Sequence, residues 1–209
     1  MSRENKNEAV AAVHRKKILE SAGRLFSEKG FEAATIEDIS IASGYSRRTV
    51  YAYFRSKEDI LHSFICEGLS ELSGAVRDIV SRETDFEKRC REIFDAMGEF
   101  YRNYPLAAEI INGFKPSEMS EPSEAAKRIF ALGEEINDTL VGFVSGGIAS
   151  GNVRKGIVPE LTVYILWSEI SAFYGLVQSK GEFIRKRFSF SETELCEYGF
   201  KQIFGSIFK

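Results

Sequence analysis

Cysteine is scarce in this 209-residue chain, and its three occurrences, Cys66, Cys90 and Cys196, are odd in number and far apart. That excludes a disulfide framework or a cysteine-built zinc site, both of which need closely spaced pairs, and it suits a reducing interior. Histidine occurs twice, as His14 and His62, with no ligand partner at useful spacing, so no metal is expected. Proline occurs only four times, which leaves room for long helices. The most apolar stretch, Leu161 to Val177, is interrupted by Thr162, Ser168, Glu169 and Ser171, and reads as a buried helix, not a membrane span. No basic, apolar and small-residue leader opens the chain, and a cytoplasmic protein is expected. Alternating strands and Asn-Gly hairpins are missing, which excludes a sheet. Missing too are a Gly-x-Ser-x-Gly elbow, a phosphate-cradling glycine loop and a cysteine with an evident histidine partner. Neither an enzyme nor a cofactor is expected.

What is present is the composition of an ordinary globular protein, 44% hydrophobic and 28% charged. The net charge of −3 hides a split: residues 1–57 carry 11 Lys and Arg against 7 Asp and Glu, whereas residues 58–209 carry 17 against 24. Only the first segment, at +4, suits a polyanion. Within it, residues 1–12 have no apolar period and read as a flexible arm with Arg3 and Lys6. From Val13, the apolar residues Ile18, Leu19, Ala22, Leu25 and Phe26 fall at helical spacing, and Gly30 stands where a helix would stop. Thr35 followed by Asp38 is a helix-start pattern, and a short second helix runs to Ala42. Ser43-Gly44-Tyr45 forms a tight turn and Ser46 caps a third helix. There Val50 and Phe54 face the first two helices, leaving Arg47, Arg48, Tyr51 and Ala52 outward.

This is the pattern of a helix-turn-helix, whose second helix reaches base edges in the major groove. Arginine can bond guanine bidentately, alanine can pack on a thymine methyl, and serine, threonine and tyrosine hydroxyls can bond phosphate. The capped helix starts at Thr35, Ser46 and Ser56 each add partial positive charge. Thr49, in the first turn of the reading helix, belongs to the same candidate set.

The stretches Ile18–Phe31, Thr35–Ile39, Gly44–Ser46 and Val50–Leu61 resemble the N-terminal domain of TetR/AcrR-type transcriptional regulators. The resemblance implies an all-α homodimer of about nine helices, with a three-helix DNA-binding head at 13–57 and a larger helical effector-binding and dimerisation domain at 58–209. It implies that Thr35, Ser46, Arg47, Arg48, Tyr51, Ala52, Tyr53 and Lys57 touch an operator, Tyr53 and Lys57 at phosphates, so that base reading falls mainly to Arg47 and Arg48. Tyr45 departs from the small aliphatic residue common there, and either packs in the turn or reaches the DNA backbone.

Beyond the head, helices are expected over 56–80, 85–103, 105–114, 122–150, 159–180 and 191–207, with a break at Lys180-Gly181 and a close helix contact at Gly146-Gly147. Phe94, Tyr101, Phe114, Phe130, Phe143, Trp167 and Phe173 are candidates for an apolar effector pocket, since large residues at helical spacing serve either core or pocket. Glu169, between Trp167 and Ile170, must be surface-facing, paired or inside that pocket. Leu161, Ile165, Leu195, Phe200 and Phe204 on the last two helices are candidates for a four-helix dimer interface. The function expected is a ligand-responsive DNA-binding regulator, more often a repressor, released from a palindromic operator by an unknown small apolar or aromatic effector. The alternatives are control by a protein partner, or an all-α enzyme or carrier with a vestigial head, for which no convergent catalytic groups are found.

Overall fold

A computed structural model describes residues 3–82, 85–113 and 123–208. Among the described residues the fold is all-α: α1 (Arg3–Lys29), α2 (Ile36–Ser43), α3 (Arg47–Tyr53), α4 (Lys57–Ser81), α5 (Phe86–Asn103), α6 (Pro105–Gly113), α7 (Glu124–Ala149), α8 (Pro159–Phe188) and α9 (Glu192–Phe204). The only extended pairing among them is an isolated antiparallel bridge between Val153 and Phe208. No helix among them is long and apolar enough to cross a membrane.

Two helices are longer than their sequence patterns predict. The expected arm at 1–12 is helical from Arg3 onward, because Glu8, Ala9, Ala11 and Ala12 are helix-compatible and an apolar period is not needed where a helix is solvated. The expected break at Lys180-Gly181 is absent and α8 continues to Phe188. A lone glycine costs a helix only about 1 kcal/mol, and the Glu182–Lys186 ion pair one turn apart supports the extension. The helix ends where Ser189 turns left-handed at φ 60°.

The chain divides into two compact units. The first comprises the described residues of Met1–Gly68 and Tyr104–Ile129, and the second those of Leu69–Asn103 and Phe130–Lys209. In the first, Ile18, Ala22 and Phe26 of α1 meet Ile39, Val50, Phe54 and Ile60 in a fully buried core, each large side chain contributing about 1.5–3 kcal/mol. Gly23 permits the approach of α4: a Cβ there would lie 2.3 Å from the Phe64 ring.

In the second unit Phe94 is the hub, with ring centres of Tyr174, Phe173, Phe200 and Phe204 at 5.0, 5.5, 5.8 and 6.4 Å. Tyr174 donates its hydroxyl to the Phe94 carbonyl at 3.1 Å, over Gly98, where a Cβ would sit 2.4 Å from the Tyr174 ring. Gly147 is likewise a close approach, 2.6 Å from Phe86 by the same measure, whereas Gly146 faces open space.

Phe200 and Phe204, expected at a dimer interface, are buried in this unit at 2% and 4% exposure. The short α9 has one apolar stripe, and it is spent on α5 and α8. The uncovered apolar surface lies instead along α8, where Leu161, Tyr164, Ile165 and Phe183 are more than half exposed.

Candidate functional site

The local chemistry that shapes the helix-turn-helix is hydrogen bonding at helix ends. The Asp38 amide donates to the Thr35 hydroxyl at 3.1 Å, while the Thr35 amide and hydroxyl donate to the Asp38 carboxylate at 2.9 and 2.7 Å. Lys29 adds an ion pair at 2.9 Å. The Lys29 ammonium and then the Thr35 donors hold the Asp38 carboxyl down at about 2. Gly44 closes α2 at φ 74°, a left-handed conformation that favours glycine. The Thr49 amide donates to the Ser46 hydroxyl at 3.1 Å and starts α3, and the Asp59 amide donates to Ser56 at 3.1 Å and starts α4.

Val50 and Phe54 point into the core at 0% and 1% exposure. With those two positions fixed, helical geometry turns Arg47, Arg48, Tyr51 and Ala52 outward, and all four are exposed. Arg47 rests 3.4 Å from Glu37 in an exposed ion pair, which contributes at most about 1 kcal/mol and yields to a stronger anion. Arg48 has no partner among the described residues. Thr49 is half-buried and its hydroxyl pairs with that of Ser46 at 2.9 Å.

Three of the sequence-derived positions are tied into the fold. Tyr53 is half-buried, its hydroxyl 3.1 Å from His14 Nδ1. Tyr45 packs in the turn, its ring centre 4.8 Å from that of His14 and 5.5 Å from the Lys17 ammonium. Lys57 Nζ donates to the Phe31 and Glu32 carbonyls at 2.8 and 3.2 Å and stands 4.3 Å over the Phe31 ring. Arg15, which sequence reasoning passed over, donates to the Tyr53 carbonyl at 3.2 Å and the Ser63 hydroxyl at 2.8 Å and covers the Phe54 ring. His14 and Arg15 stand 39 and 38 residues from Tyr53, and no local pattern announces a pairing across that distance.

The second unit contains a narrow cavity. Its walls are Phe86, Cys90, Ile93 and Met97 of α5, Leu140, Phe143 and Val144 of α7, Val163, Leu166, Trp167 and Ile170 of α8, and Phe204 and Ile207. Its free volume is only about 30 Å³. Of the pocket candidates, Phe143 and Trp167 line it. Phe94, Tyr101 and Phe173 belong to the neighbouring aromatic core, where Tyr101 stacks on Tyr174 and bonds Ser171. Phe130 is 43% exposed and Glu169 is exposed, and Phe114 lies outside the described residues. The lining is otherwise aliphatic, and aliphatic residues at helical spacing look the same whether they face a cavity or a packed neighbour. Burial pushes the Cys90 thiol up to about 12, so it stays protonated.

Residues 18–64 match the family model for bacterial regulatory proteins of the tetR family. The uncharacterized HTH-type transcriptional regulator YvaF of Bacillus subtilis is 29% identical over 97 residues, 46% of this chain but only 47% of that relative's length. The HTH-type transcriptional repressor KstR2 of Rhodococcus jostii is 26% identical over 152 residues, 73% of this chain and 74% of that one. A crystal structure of the regulator FadR from Bacillus subtilis, in complex with stearoyl-CoA, superposes with a TM-score of 0.71 at 16% identity, covering 92% of this chain and 98% of FadR. That last likeness is one of fold.

Proposed function

Because the chain belongs to the TetR family of bacterial regulatory proteins, we propose that it is a transcription factor, and not an enzyme, that binds a palindromic double-stranded operator as a homodimer. The observation that carries this reading is the exposed face of α3: Arg47, Arg48, Tyr51 and Ala52 project from a short, doubly capped helix whose opposite face is locked in the core. Arg48 reads bases with its guanidinium, and Arg47 joins it by exchanging Glu37 for DNA. Tyr51, Tyr53 and whichever of the paired Ser46 and Thr49 hydroxyls keeps its proton free offer O–H groups to phosphates, Thr35, whose hydroxyl donates to Asp38, sets the α2 start beside them, and Lys57 offers its third N–H. Tyr45 acts on DNA through the turn it packs. Residues 13–57 form the reading head and residues 58–209 the effector and dimer region.

The dimer surface in this reading is the exposed α8 face of Leu161, Tyr164, Ile165 and Phe183, with half-buried Leu195 and exposed Tyr198 of α9 beside it. Two heads so joined must present their α3 helices about 34–36 Å apart to enter successive major grooves. The effector is a small apolar or aromatic molecule that enters the cavity around Phe143 and Trp167. Ligand sites commonly enclose about 300–1,000 Å³, far more than this narrow cavity, so entry must spread α5, α7 and α8, and that movement is what would alter head spacing and release DNA. The action as a repressor is supported by relatives named as repressors, KstR2 and NicS.

Selection from random DNA with the full chain tests the reading. We expect an inverted repeat whose half-sites are centred about 10–10.5 base pairs, or a multiple of that, apart. A single unrepeated site would refute the dimer, and no enrichment at all would refute DNA binding.

A further inference from the structure

Several arginines of the second unit are paired with carboxylates. Arg77 meets Glu135, Arg82 meets Asp78 and Glu92, and Arg91, stacked 3.7 Å over Phe200, meets Glu197. Arg89 differs from these, because among the described residues no carboxylate pairs with it and its Nε is buried. Its guanidinium carbon lies 5.0 Å from the centre of the Phe143 ring and 5.9 Å from that of Phe86. Those two rings stack on each other at 4.5 Å and form one wall of the cavity. One terminal nitrogen, Nη1, donates to the Val80 carbonyl at 3.1 Å. The Nε is buried and has no hydrogen-bond partner. A buried N–H of a charged group is costly to leave unmatched, and such groups are ordinarily satisfied.

The nitrogen that is used determines what the others can do. With Nη1 held by Val80, the Nε and Nη2 edge remains, and this edge carries the two parallel N–H groups that match a pair of oxygens on a carboxylate or phosphate. The adjoining cavity is walled by hydrocarbon and aromatic groups, with the protonated Cys90 as its only thiol. A positive, half-satisfied fork beside an apolar hole is complementary to a molecule with an anionic head and an apolar tail.

We propose that Arg89 is the head-group site of the effector cavity, which therefore takes an anionic amphiphile: an apolar chain between α5, α7 and α8, with a carboxylate or phosphate held by the Arg89 Nε and Nη2 edge. The proposal rests on the effector reading of this cavity and adds to it the charge of the ligand and the residue that recognises it. It also requires movement, because the Nε is buried and an anion reaches it only when the packing around it shifts.

Trp167 is the chain's single tryptophan and lines the cavity, so its fluorescence reports occupancy directly. The full chain is titrated with dodecanoate, dodecyl phosphate and dodecanol, all below their micellar concentrations. At least one anion should bind roughly tenfold or more tightly than the alcohol, as a charge-assisted pair of hydrogen bonds requires, and the tighter of the two identifies the head. Arg89→Gln should erase that preference while leaving dodecanol within about twofold of its original affinity. Equal binding of all three by the unaltered protein, or a preference that survives in Arg89→Gln, overturns the Arg89 site and leaves the effector cavity standing. No response to any probe overturns the effector reading itself. Should Arg89→Gln fail to melt cooperatively, the head-group series on the unaltered chain still decides, and Arg89→Lys, which keeps charge but loses the fork, should bind the anion several-fold more weakly than arginine does.

Discussion

Replacing Lys57 with methionine separates two roles that one side chain is asked to play. The ammonium has three N–H groups, and two are committed to the Phe31 and Glu32 carbonyls at 2.8 and 3.2 Å, near the end of α1. Methionine keeps the stem against the Phe31 ring but removes the charge. The half-buried bond to Phe31 is worth about 1–2 kcal/mol, the exposed one to Glu32 little, and the cation over the ring about 0.5 kcal/mol. A total near 2 kcal/mol lowers the melting temperature by about 4–8 °C for a chain of this size. The third N–H is the one proposed to meet a phosphate. Its loss from both heads removes two phosphate contacts, and the slope of log K against log salt should become shallower by about 1.8. Calorimetry reads the first quantity and operator titration from 50 to 200 mM salt reads the second. An unchanged melting temperature would refute the carbonyl clamp, and an unchanged slope would refute the phosphate contact.

For Arg48→Ala we expect a loss of about 1–3 kcal/mol against the selected operator and little change on random DNA, measured by competition binding. An equal loss on both would make Arg48 a phosphate contact and remove it from base reading. Asp38→Asn tests the cap of α2. The folded carboxyl titrates at about 2, below its ordinary 3.8, chiefly through Lys29 and then Thr35. Its stabilisation is therefore complete above about pH 4 and is lost as pH falls toward 2. Denaturation curves for the two proteins should differ at pH 7 and converge only as pH approaches 2, and a gap independent of pH would contradict the assignment.

The reading head was legible in the sequence because its determinants are three residues apart. A helix start needs one acceptor for the amide three positions on, which Thr35, Ser46 and Ser56 supply, and Gly44 takes the left-handed turn between the helices. Once those ends are placed, the 3.6-residue period decides which side chains of α3 face inward. The extension of α8 past Gly181 was less legible, because the penalty of one glycine is smaller than the support of the helix formers that follow it.

The tertiary structure alone decided what each apolar side chain is for. Phe94, Phe143, Trp167, Phe130 and Phe204 all satisfy the same helical periodicity, yet one is a core hub, two line a cavity, one is exposed, and one does duty in both core and cavity. The difference lies in which helix passes opposite, and the partners stand as far away as the 80 residues between Phe94 and Tyr174. The same holds for charge. That Lys57 clamps the end of α1 and that Arg89 lacks a carboxylate are consequences of chain crossings, which local composition does not encode. Short-range hydrogen bonding determined the shape of the helix-turn-helix, and long-range packing determined where the cavity lies.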